Sequence, residues 1–143
     1  MEKIKWGIQT FLAEAGEAAC YALDIIKLAE MQTGKEFGVI ETLTLCIDKG
    51  FIYYNFNNQN DDNNFFVKNP DKMLTFLTDI AWSVSKEPAT YRLALGEWEI
   101  DRWERVKTGV TTGHFRLPEW DSLQDSQTVK FGNLASKRIF RKV

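Results

Sequence analysis

The sequence predicts an α+β domain in which helices fill the first half and antiparallel strands the second. Two observations carry this. Apolar residues up to Leu77 recur at helical spacing in separate segments, whereas from Trp82 onward apolar and polar residues alternate with the period of a half-buried strand. No internal repeat or linker interrupts the pattern, so residues 1–143 read as a single domain.

Ile4, Ile8, Phe11 and Leu12 lie near helical spacing and open the chain with a helix. A long helix then covers Gly16 to Met31, with Gly34 as its stop. Val39, Leu43, Cys46 and Ile47 share one face of a short amphipathic helix from Val39 to Lys49, closed by Gly50. Phe51 to Tyr54 is a strand by composition, leading into the loop Asn55 to Asn64, whose Asn and Asp side chains satisfy turn backbones. That tract lacks the glycine and closing glutamate of an EF-hand, which leaves a role flanking a groove. Asn69 as N-cap and Pro70 at the first helical position start a helix running through Leu77. Strands follow at Trp82 to Lys86, Tyr91 to Ile100, Thr111 to Leu117, Gln127 to Phe131 and Lys137 to Phe140, with PEWDS and GNLAS as turns.

The long helix organises the rest. At about 100° per residue, Ala18, Ala19, Ala22, Ile25, Ile26 and Ala29 fall in one small-residue arc that lets other elements approach closely. Cys20 lies outside that arc, among Glu17, Asp24 and Lys27. A thiol that merely packs would suit the alanine face, since free cysteine behaves as a small hydrophobe. Cys46, on an apolar helix face, fits that structural role.

Composition excludes several classes. Eighteen basic and 20 acidic residues, mixed along the chain for a net charge of −2, leave no basic footprint for nucleic acid. The basic stretch Lys137 to Val143 reads as a solvated strand edge. No apolar run reaches the roughly 18 to 20 residues of a membrane span, and MEKIKWGIQTF has no uninterrupted apolar core of a signal peptide. A cytoplasmic location is the expectation, with export by a phage-type route left open. Two cysteines outside any CxxC or Cys/His cluster predict free thiols and no metal, and no P-loop or dinucleotide fingerprint implies a cofactor.

The chemistry-bearing order is a cysteine on the central helix in GEAACYAL, a histidine far downstream in TTGHFRL, and an acid in WDSLQDSQTVKFG. Those stretches resemble the papain-like cysteine hydrolases, closest to the NlpC-type amidases and the peptidases of the double-glycine leader kind. The overall pattern also looks like that of uncharacterised phage-associated bacterial proteins. The resemblance implies a papain-like fold with the nucleophile helix central against a C-terminal antiparallel sheet. It implies Cys20 as nucleophile on a peptide or peptidoglycan amide, His114 as its acid and base, Asp121 orienting the imidazole, and Gln9 as oxyanion donor.

Each residue also has a plainer reading. For Cys20 it is a packed thiol, with Glu17 and Asp24 at i−3 and i+4 disfavouring a thiolate. His114, the sole histidine, would then satisfy a local hydrogen bond, and Gly113 would permit close backbone approach. Asp121 could form an Asx-turn, with Glu119 and Asp125 as competing acids. The alternatives to a hydrolase are an inactive papain-fold module that binds a peptide or protein partner, and a phage-related structural protein. Oligomeric state stays open.

Overall fold

The structure, a computed structural model, describes residues 19–54, 65–122 and 132–143. Three helices are present there: α1 (Ala19–Thr33), α2 (Val39–Asp48) and α3 (Pro70–Thr78). Six strands accompany them: β1 (Ile52–Tyr54), β2 (Phe65–Val67), β3 (Trp82–Pro88), β4 (Glu97–Lys107), β5 (Val110–Arg116) and β6 (Asn133–Lys142). The helix expected over residues 2–12, the Asn/Asp tract 55–64 and the strand expected at 127–131 lie outside the described residues.

Helices thus precede a four-stranded antiparallel sheet of order β3-β6-β4-β5, the α+β arrangement its patterning implies. A two-stranded sheet pairs β1 with β2, Tyr53 opposite Phe66. Sequence reading missed β2, because three residues beyond a polar tract carry too little alternation to register. No helix among the described residues is long and apolar enough to cross a membrane.

α1 is the hub. It packs against α2, α3, β2 and β5, and Leu23, Ile25, Ile26 and Leu28 are all removed from solvent, each stabilising the fold by about 1.5–3 kcal/mol. Its other side is equally enclosed. Cys20, Asp24 and Glu30 are buried as well, so the polar stripe of this helix faces protein rather than water. Gly34, with φ of +70°, ends the helix as expected.

Four expectations need correction. Asn69 precedes α3 but its side chain makes no capping hydrogen bond, and the helix instead relies on Pro70 at its start and left-handed Asp79 at its end. The alternation from Tyr91 does not become strand until Glu97. The Glu97 carboxylate accepts hydrogen bonds from the Tyr91 hydroxyl at 2.8 Å and the Ala94 N–H at 2.7 Å, folding Tyr91 to Gly96 into a turn. Strand β6 begins at Asn133, so most of the GNLAS segment is ladder rather than turn. Finally, the basic tail is no edge: β6 lies between β3 and β4. Ile139 and Phe140 are fully buried, while Lys137 meets Glu99 at 3.2 Å and Arg141 pairs with Glu97.

Candidate active site

Among the described residues β5 is the outer strand of its sheet, paired with β4, and the backbone groups along its other side need partners elsewhere. Helix α1 lies along that side. The Phe115 N–H donates to Cys20 Sγ at 3.3 Å, tying helix and strand together. Consecutive strand residues face opposite sides of a sheet, so His114 and Phe115 diverge from this point. Two faces of one seam result.

On the first face, His114 Nε2 and Asp121 Oδ1 are 2.9 Å apart. A turn brings them together: Leu117 and Trp120 exchange backbone hydrogen bonds of 3.1 and 3.4 Å, and the chain reverses through Pro118 and Glu119. Asp121 therefore emerges beside β5 with its carboxylate on the imidazole. Of the competing acids, Glu119 is exposed and Asp125 lies outside the described residues, as does Gln9.

The imidazole is strongly perturbed. Burial alone favours the neutral ring, but hydrogen bonds and charge from Asp121 and Cys20 overcome it and raise His114 from 6.5 to about 10. At neutral pH the ring is an imidazolium, held between the Asp121 carboxylate and the Cys20 sulfur. Cys20, His114 and Asp121 are 3%, 1% and 0% exposed.

Further charged groups enclose this face, Asp24 as the helix wheel placed it and Arg116 and Asp101 undetected from sequence. Arg116, two residues beyond His114 and hence on the same side of β5, is buried and donates from Nε to the Leu117 carbonyl at 3.2 Å. Its charge acts on two buried acids, Asp24 and Asp101. Asp24 is driven well above the usual carboxyl range by burial first, then by Cys20 and Asp121, with Arg116 opposing. Asp101 is likewise raised, by burial and by a hydrogen bond with Glu99. Period-two counting from His114 would have found Arg116, and Trp103, directly opposite His114 on β4, could be found once the strands were paired.

Several buried polar atoms near the seam have no hydrogen-bond partner among the described residues: both Asp24 carboxylate oxygens, the Tyr21 hydroxyl, Trp103 Nε1 and Ser122 Oγ. Such groups are rare in folded proteins and tend to mark places where water or a ligand completes the bonding. Trp98 and Trp120 serve packing: Trp98 meets Trp82 edge-on at 5.2 Å, and Trp120 is buried in the core. No group of three metal-ligating side chains occurs among the described residues.

A family model described as "Protein of unknown function, DUF261" matches residues 1–142. The chain belongs to that family. Comparison with curated proteins and with solved structures gives no match.

Proposed function

We propose that this chain is a cysteine hydrolase of papain-like architecture that cleaves an amide bond in a peptide or peptidoglycan-like substrate. The observation that carries the proposal is the meeting of Cys20 from α1, His114 from β5 and Asp121 from the following turn at one seam. Cys20 Sγ attacks the carbonyl carbon, forming the S–C bond, and His114 delivers its proton to the departing amine as the C–N bond breaks. Water, deprotonated by His114, then attacks the thioester; the S–C bond breaks, releasing the acid and restoring the thiolate–imidazolium pair. Asp121 fixes the ring and favours its charged form throughout. Gln9 is the proposed oxyanion donor, and the Phe115 N–H, already directed at the sulfur, is a second polar group at the reacting atoms. Two free thiols fit work in a reducing compartment.

A second reading is an inactive module of the same architecture that binds a peptide or protein partner. Asp24 favours it, because a buried acid one turn from Cys20 competes with that sulfur for a single negative charge. The two are separated by p-nitrophenyl acetate, a small acyl donor. The hydrolase releases nitrophenol in a burst matched by one acetyl group on Cys20, and neither Cys20→Ala nor His114→Ala does so. Wild-type protein with no burst and no adduct leaves the binding module.

A further inference from the structure

The second face of the seam is built around Phe115. Its ring stacks on Tyr21 with centroids 4.3 Å apart and planes inclined by 19°. Two guanidiniums share that ring, Arg102 Cζ at 4.8 Å and Arg138 Cζ at 5.2 Å from its centroid. Burial lowers the Arg138 pKa first and the charge of Arg102 adds to it, so the two cations are close. Like charges assembled on one ring cost electrostatic energy, and the chain accommodates the assembly: a Cβ at Gly113 would collide with the Arg102 guanidinium, so the glycine before His114 is what lets that group lie across β5.

Resident partners are few. Arg102 Nε faces Glu104 Oε1 at 3.6 Å, and Arg138 Nη1 donates to Ser136 Oγ at 2.8 Å. The remaining guanidinium N–H groups have no partner among the described residues. Beside them the buried Tyr21 hydroxyl, near enough to Arg138 to sense its charge, also lacks a hydrogen-bond partner. Arg102 retains 30% side-chain exposure, so the cluster reaches solvent.

We propose that Arg102, Arg138 and Tyr21 form a binding site for a carboxylate, placing an acidic residue of a peptide ligand next to the group presented to Cys20. Glu104 acts on both guanidiniums and Asp71 on Tyr21, so the cluster keeps at most a single positive charge, which matches a carboxylate rather than a phosphate dianion. Guanidinium forks bind carboxylates through paired N–H groups, and a tyrosine hydroxyl supplies a further donor. The placement follows from the chain itself: Phe115 bears both arginines on its ring and donates its N–H to Cys20, and Tyr21 is the next residue after Cys20. The carboxylate site stands without catalysis; only the statement that the acidic residue flanks a scissile bond rests on the hydrolase reading.

The test compares Nα-acetylglutamate amide with Nα-acetylglutamine amide, binding to the full chain being followed by NMR titration. The acidic probe is expected to bind about tenfold more tightly, the scale of a charge-assisted pair at a partly exposed site. Arg102→Gln and Arg138→Gln should each reduce the preference, and Arg102→Lys should restore only part of it. Gly113→Ala, which displaces Arg102 without removing a charge, should reduce it also. If Arg138→Gln fails to fold, the Arg102 variants carry the test. An equal response to both probes, including none, overturns the proposal, as does a preference unchanged in Arg102→Gln or tighter binding of inorganic phosphate. The same titration in Cys20→Ala keeps the two readings apart. A preference that persists while wild type forms no acyl adduct upholds the carboxylate site and removes the hydrolase; an adduct without any preference does the reverse.

Discussion

The two cysteines occupy opposite kinds of interior. Cys46, on the inner face of α2, is fully buried among apolar side chains, and that burial pushes its thiol up to about 11. Cys20 is almost as deeply buried, yet it accepts the Phe115 N–H and lies against an imidazole backed by a carboxylate. Burial therefore does not separate the two thiols. The difference is that polar and charged groups enclose Cys20 at the α1–β5 seam, whereas apolar side chains enclose Cys46.

The sharpest way to break this comparison is to place charge at each site. Cys46→Asp puts a carboxylate where no described polar group can pair with it and should cost about 3–5 kcal/mol, read as a lowered urea midpoint. Cys20→Ser keeps an acceptor for the Phe115 N–H and should cost about 1 kcal/mol or less. Equal losses at the two positions would mean that the seam is as apolar as the core.

A smaller effect concerns Asp24. Its pKa is raised by folding, so it binds a proton that the unfolded chain gives up above about pH 4, and its contribution to stability declines as pH rises from there. Asp24→Asn keeps the shape without the ionisation. The variant should unfold at a higher temperature than wild type near neutral pH, with the gap widening toward alkaline pH. A lower midpoint at every pH would show that the carboxyl group makes a needed contact.

His114 reports over a more alkaline window. Its folded pKa of about 10 exceeds the ordinary 6.5, so its stabilisation is fully present below pH 6.5 and is lost as pH climbs through 10. The thermal midpoint should fall across that window, and Asp121→Asn, which removes the carboxylate's charge, should flatten the slope. An identical slope in the variant would mean that Asp121 does not hold the proton on the ring.

Much of this was legible in the chain, for reasons specific to each element. The α1 wheel already set Cys20 apart from the alanine arc, and Asp121 follows His114 across a proline turn short enough to return the chain. What stayed hidden depends on strand order. Nothing local says that Lys137 to Lys142 is interior, because β6 acquires two neighbours only when β3 and β4 flank it. Nor does periodicity reveal that Tyr91 to Gly96 curls back, since the turn is closed by the Glu97 side chain. Arg102 and Arg138 meet on Phe115 through cross-strand neighbours on three strands, a contact invisible until register is known.

The central claim is that Cys20 and His114 act as one unit, and alkylation tests it most directly. Iodoacetamide should modify Cys20 in the native protein at neutral pH, identified by peptide mass, while Cys46 stays unlabelled. His114→Ala should slow the Cys20 reaction about tenfold or more, without changing Cys46. Equal Cys20 rates in wild type and His114→Ala would contradict the account.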